Sequence, residues 1–456
     1  MTAALAALLV FLVLQLGIGV WVSRRIATEA DFLVGGRQLG YTLATFSIFA
    51  TWFGAETMIG SSAAIYGEGM SLASAEPFGY GLCLILMGLF LAKPLWDREL
   101  TTLADLFRQR FGVGVERLAA VLLIPSSVLW AAAQVRAFGQ VIAAAGEVNV
   151  QVAIAAAALF TVAYTAFGGL LADAMTDVVQ GVILTVGLIV LLVAVVLHVG
   201  GVGEAMTLLA QTDHVNLTPS AAGPWIETVE AWAIPVLGSV AATETIGRVI
   251  ATRTRTIAQR SSLVAGALYI AVGSIPVVIA LLARSFVPTI ADPEQLLPSV
   301  AQQLLPTLLF AIFAGGLVSA ILSTVDSTLL VASGLLSHNL IVPIAKVTDE
   351  RAKVRIARGG VLLFGAIAYL LALNAEGVFA LVEQASAFGS AGILVTVLFA
   401  LFTPYGSART AAATLLAGIA SYVVALLLGV STPFLMSVAV SLGTWGIGWA
   451  IDSAAS

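Results

Sequence analysis

Ser323-Thr324-Val325-Asp326-Ser327 sets three hydroxyls and a carboxylate inside an apolar run covering 304–331. About 20 apolar residues suffice to cross a bilayer as a helix, so the run predicts a membrane span. An ionisable side chain is expensive there and marks a functional site by default. Ala320, Ser323, Thr324 and Ser327 follow i, i+3, i+4, i+7 spacing and share one helical face. Hydroxyl and carbonyl oxygens are hard ligands, suited to a hard cation rather than a transition metal. The bland reading of the same hydroxyls is that each bonds its own i−4 carbonyl, as Ser and Thr commonly do in membrane helices.

Outward from this stretch the chain is apolar almost throughout. It has 456 residues, 60% hydrophobic and 10% charged, against about 25% charged in a soluble domain. Apolar runs at 3–22, 39–66, 74–96, 116–145, 150–168, 172–199, 226–251, 262–286, 304–337, 356–374, 377–403, 408–429 and 432–451 predict about 13 helical spans and a single all-α transmembrane domain. The run 3–22 has its positive charges, Arg24 and Arg25, after it and not before, so it reads as a retained helix and not a secretion signal. With the N-terminus outside and the C-terminus cytoplasmic, all of the 20 Lys and Arg except Arg136 and Arg284 fall in cytoplasmic loops or at their edges, Arg248 among them. That asymmetry fits the positive-inside rule for an inner (plasma) membrane protein.

Several function classes lack their chemistry. No basic stripe for nucleic acid exists, and no G-x-x-x-x-G-K-[ST] loop for ATP. His198, His214 and His338 have no Cys or acidic partner at a recognisable spacing, and the single Cys83 closes no intrachain disulfide. Nothing requires an organic cofactor or an obligate protein partner, and transport rather than catalysis is expected. A passive channel is the rival to a carrier.

Two stretches in comparable positions carry oddities for membrane helices. Ala50-Thr51-Trp52-Phe53-Gly54-Ala55-Glu56-Thr57 and Gly238-Ser239-Val240-Ala241-Ala242-Thr243-Glu244 each combine glycine with a glutamate. Interrupted helices in matching halves point to a central binding site lined by freed carbonyls. Two five-helix units, 39–199 and 226–403, would then form an inverted repeat, with 3–22 as an extra N-terminal helix and 408–451 as two peripheral ones. Carbonyls of Ala50 and Phe53 are available to complete the Ser323 face, and Asp177 supplies a second carboxylate.

These stretches, together with Gly35-Gly36-Arg37, Tyr164-Thr165-Ala166-Phe167-Gly168-Gly169 and Thr176-Asp177-Val178-Val179-Gln180, resemble the sodium:solute symporter family over the whole chain. The resemblance implies a LeuT-type fold and sodium-coupled symport of a small solute. It implies a sodium site at Ala50, Phe53 and Ala320 (backbone) with Ser323 and Thr324, and a second at Asp177, Ser323, Asp326 and Ser327. Ala50-Thr51-Trp52, Phe78-Gly79-Tyr80, Ala92-Lys93-Pro94 and Trp130-Ala131-Ala132-Ala133 are similar to the high-affinity choline transporter branch, where aromatics cage a quaternary ammonium. The matching positions are Trp52, Tyr80 and Trp130, and a desolvated cation gains about 2 kcal/mol on such faces.

The chain departs from that pattern at Ala242, where a tryptophan is expected, and at Glu56, Arg136 and Glu244. Glu56, Thr57 and Glu244 are expected to face the solute. Arg136 either grips a substrate carboxylate through paired hydrogen bonds or pairs internally with Glu56 or Glu244. Both readings stay open, and with them an amine or zwitterion such as choline, a betaine or an amino acid. A carboxylate or sugar solute, or sodium-independent flux, is the alternative. Glu383 is either cavity-lining or packed, and Glu227 and Glu230 are expected to complement the dipole of their own helix.

Overall fold

The computed structural model describes residues 26–146, 148–219 and 221–455, with scattered positions between 9 and 21. Among the described residues nine helices are long and apolar enough to cross a membrane, or ten if the bent pair Val378–Phe388 and Ile393–Phe402 is one span. Two local geometries, with the run 3–22 lying mostly outside the described residues, separate those ten from the 13 runs of the sequence. The 41–68 segment is cut into Tyr41–Trp52 and Ser61–Glu68, each too short to count alone. Conversely, Val150–His198 is continuous in hydrogen bonding over 49 residues. At 1.5 Å per residue an unbroken helix of that length would reach roughly 70 Å, over twice the hydrocarbon core. Gly169, with φ 63° and ψ 176°, breaks it into 150–168 and 170–198. A side chain there would meet Phe32 and Ile26 at about 3 Å, so both the dihedral and the space call for glycine. Much of the run 3–22 lies outside the described residues; its described positions are helical, and Gln15 receives a 2.6 Å bond from Gln180 and gives one of 3.3 Å to Ser319.

Thr307–Gly334 is the hub. It packs on Val150–His198, Val113–Gly146, Glu350–Asn374 and Tyr41–Trp52. The most apolar window of Thr307–Ala345 is 83% buried within the protein, against 22% for Pro433–Ala454, so the former is central and the latter peripheral. A helix of small and apolar residues in the middle of a bundle lets its neighbours approach closely, which brings the hydroxyl face of Ser323 against three other helices.

Carboxylates tie helix ends to one another. Glu230 is a correction to the expectation from its position: it serves another helix, accepting from the Phe434 and Leu435 amides at 2.6 and 2.8 Å at the start of Pro433–Ala455. Its side chain faces inward, where the orphan N–H groups and positive dipole end of that helix need an anion more than its own solvated first turn does. Glu227 does lie in the first turn of Trp225–Ala233. Glu294 likewise accepts from the Val378 amide. At the opposite end, Asp105 in the short helix Ala104–Phe111 accepts from the amides of Thr101 and Thr102 and from Asn339, at 2.8, 3.0 and 3.1 Å. A two-residue parallel ladder pairs Met70 with Val215 and Ser71 with Asn216 across the connecting loops.

Candidate ion and solute site

The first break is built by Phe53 and Gly54. Phe53 has φ −82° and ψ 64°, which ends the helix Tyr41–Trp52. The Gly54 amide turns back to Trp52 O at 2.9 Å instead of reaching Ala50 O. The amides so released are satisfied by side chains: Gly54 donates to Glu56 at 3.3 Å, and Ala55 to Gln134 Oε1 at 2.9 Å. Gln134 Nε2 then donates to Glu56 Oε2 at 3.0 Å, closing a ring around the break. Residues 56–60 resume as a wide turn before Ser61–Glu68, a geometry often found at functional sites. The second break falls at 239–242, between a wide turn at 234–238 and Thr243–Ile250.

The freed Ala50 carbonyl meets the hub helix. Thr324 Oγ1 lies 3.4 Å from Ala50 O and 3.3 Å from Ala320 O, which unites two helices around one hydroxyl. Ser323 Oγ, on the same face, donates to Asp177 Oδ1 at 2.5 Å. All are buried, and the donor set is uncharged oxygen with one carboxylate nearby, which suits a monovalent hard cation. Among the described residues no group of three His, Cys, Asp or Glu could hold a metal.

The expected second ion set is split. Ser323 and Asp177 meet, but Asp326 turns to Thr165 and Ser327 turns to Arg248 and Asp173. Residues 323, 326 and 327 share one side of the helix by spacing, and it is their partners, Thr165 for Asp326 and Arg248 with Asp173 for Ser327, that draw the side chains apart. Arg248 is fully buried and ion-paired with Asp173, which corrects its sequence placement at a cytoplasmic loop edge.

Trp52, Tyr80 and Trp130 come together. Trp52 stacks on Tyr80 with centroids 5.2 Å apart and meets the edge of Trp130 at 5.1 Å; Tyr80 and Trp130 are 6.1 Å apart. Tyr80 lines a cavity of about 370 Å³, and so do Glu56, Glu68, Glu76 and Glu383, with no Lys or Arg among its lining residues. Glu76 receives the Thr57 hydroxyl at 3.3 Å and that of Tyr269 at 3.4 Å; Thr57 and Tyr269 are also bonded to each other. Trp130 lines a separate, small pocket with Ser239, Ala242, Thr243, Glu244 and Ser386.

The profile of the Sodium:solute symporter family matches residues 32–418. The chain belongs to the sodium:solute symporter family. The human high affinity choline transporter 1 is 30% identical over 83% of this chain and 69% of its own length. The sodium/pantothenate symporter of Haemophilus influenzae is 25% identical over 88% and 86%. The fold is that of a Na+-coupled sialic acid symporter in its outward-open state, TM-score 0.85 at 19% identity over 99% of this chain and 97% of that one. It is also that of MhsT in complex with L-phenylalanine, TM-score 0.61 at 13% identity, over 90% and 99%. These relatives are transporters, and the shared architecture is the LeuT type.

In this symporter Arg136 lies away from both cavities. Its Nε is 3.4 Å from Glu294 Oε2, and its terminal nitrogens face the carbonyls of Ala372 and Glu376. The pairs with Glu56 and Glu244 do not form; Glu56 takes Gln134, and Glu244 takes the Ser127 hydroxyl at 2.5 Å. Helical spacing is the reason. Ser127, Trp130 and Gln134 run i, i+3, i+7 along one face, and Arg136, nine residues after Ser127, points to the opposite one. That face, read from Trp130 outward, would have found both Ser127 and Gln134. Glu76 falls inside the run 74–96, but the structure starts that helix at Phe78, so no helical spacing pointed to it.

Proposed function

We propose that this protein is a sodium-coupled symporter that moves a small organic amine inward by alternating access. The observation that carries it is the acidic cavity: Glu56, Glu68, Glu76 and Glu383 line one wall system with Tyr80, and no cationic side chain opposes them. Such a lining favours a cation, and the faces of Trp52, Tyr80 and Trp130 add to that preference. Choline, named in the human relative, is an organic cation. A carboxylate-bearing solute loses its anchor, because Arg136 is engaged with Glu294. Among the described residues no Asn or Gln lines either space, which leaves a sugar without the amide partners its hydroxyls would need.

For the coupling ion the favoured set is Ala50, Phe53 and Ala320 by their carbonyls with the Ser323 and Thr324 hydroxyls. Arg248, held at Ser327 and Asp173, takes the region of the second set as a fixed internal cation, which supports one sodium per cycle. The units 39–199 and 226–403 would rock as the two inverted repeats, in an inner-membrane orientation with the N-terminus outside. Each positive charge moved inward, whether the sodium or an ammonium, gains about 2.3 kcal/mol from a potential of 100 mV. Uptake of labelled amines into proteoliposomes tests the proposal. Accumulation should require an inward sodium gradient, rise with an inside-negative potential and fail in Ser323→Ala. Equal flux without sodium would replace the symporter by a facilitator or channel.

A further inference from the structure

We propose that the solute is a linear diamine whose two ammonium groups sit on opposite sides of the aromatic trio, one at Glu56 and Glu76 and the other at Glu244. The assignment rests on the amine-symporter reading and sharpens it. A quaternary ammonium needs aromatic faces and no hydrogen-bond acceptor. The site provides more than that. Glu76 is 9% exposed and lines the large cavity, yet its Oε2 has no donor. Its other oxygen has only the two long bonds from Thr57 and Tyr269. A buried carboxylate oxygen left without a partner is costly, and a primary ammonium supplies both the missing N–H and the missing charge.

The second carboxylate lies beyond the rings. Glu244 and Trp130 line the small pocket together with Ser386. The Tyr80 hydroxyl, on the wall of the large cavity, is 2.9 Å from the Ser386 Oγ on the wall of the small one. The two spaces therefore abut at Tyr80, which walls the large one, while Trp130, 6.1 Å from it, walls the small one and Trp52 packs against both rings. No Lys or Arg lines either space among the described residues. Two buried acids flanking an aromatic layer match a molecule with charge at both ends and methylenes between: the ends take carboxylates, and the methylenes lie on ring faces.

Calorimetric titration of the purified wild-type protein in sodium buffer with putrescine, cadaverine, n-butylamine and choline decides it. The diamines should bind at least about tenfold more tightly than n-butylamine and choline. Glu244→Gln should collapse the diamine-to-monoamine affinity ratio towards one. Choline or n-butylamine binding as tightly as the diamines in the wild type, or no binding of either diamine, overturns the assignment, as does a Glu244→Gln protein that keeps the ratio. Uptake separates this from the underlying reading. Sodium-driven choline accumulation without diamine binding overturns the diamine alone, whereas tight diamine binding without sodium-driven uptake upholds the diamine and overturns coupled transport.

Discussion

Gly54→Ala should damage sodium coupling more than any other single methyl addition. A Cβ built on Gly54 would stand 2.6 Å from Thr324 Oγ1, 2.8 Å from Gln134 Oε1 and 2.9 Å from Glu56 Oε2. Gln134 and Glu56 can swing their flexible ends aside. Thr324 cannot, because its hydroxyl hangs on one stiff χ1 in the middle of the hub helix. The strain therefore falls on the side chain proposed to ligate sodium. Overpacking a well-filled site costs about 1–3 kcal/mol, and at about 1.4 kcal/mol per factor of ten the half-saturating sodium concentration should rise about 5- to 150-fold. The assay is sodium dependence of uptake at fixed solute, with Gly247→Ala as the control, since nothing lies within 4 Å of a Cβ at that position. A Gly54→Ala protein with the sodium dependence of the wild type would refute both the location of the ion and the argument from Thr324.

Arg248→Gln and Asp173→Asn each leave a buried charge alone, so each should destabilise the protein by about 3–5 kcal/mol, while Arg248→Met with Asp173→Leu should lose less than either; melting in detergent measures all three. Glu230→Ala removes the acceptor for the Phe434 and Leu435 amides. It should lower stability by about 0.5–2 kcal/mol without altering sodium dependence, because the helix it caps is peripheral. Burial alone would raise the Asp105 carboxyl, but hydrogen bonds from His338 and from the Thr102 and Thr101 amides outweigh it and hold the group below its ordinary value of 3.8. A depressed carboxyl adds stability that is complete above that ordinary value and is lost as pH falls through the folded one. Melting followed down to about pH 3 should thus show an acid limb that Asp105→Asn shortens, at the expense of stability near neutrality.

How much of this was legible depended on whether a feature repeats locally. Apolar runs and Arg/Lys placement depend on composition over about twenty residues; each described spanning helix overlaps a predicted run, but Arg255–Ala283, Thr307–Ala345 and Glu350–Asn374 extend well beyond the runs 262–286, 304–337 and 356–374 at one end. The broken helices were visible because glycine beside a glutamate is anomalous in an apolar run, as in Gly54-Ala55-Glu56. The partners of buried charges were not. By sequence Arg136 has Glu56 and Glu244 as candidate partners, yet its acid is Glu294, 158 residues along the chain. Arg248, at a span edge, reads by position as a loop cation, and only the fold shows Asp173 facing it. Charge pairs across a bundle depend on which helix faces touch, and one sequence does not carry that information beyond the i, i+4 pattern.

Glu56 links the two halves of the proposed cycle. Its carboxylate lines the solute cavity, and the same carboxylate holds the Gly54 amide and Gln134, which in turn holds the Ala55 amide. Those amides belong to the break whose freed Ala50 carbonyl faces Thr324. In the proposed cycle an ammonium at Glu56 would hold that carboxylate in place beside the break, and sodium at Ala50 and Thr324 would fix the backbone that Glu56 braces. Each ligand therefore meets a site already partly ordered by the other, and linkage makes the gain equal in both directions. In that proposal the coupling needs no long relay, because the glutamate at the cavity braces the same break whose freed carbonyl faces Thr324.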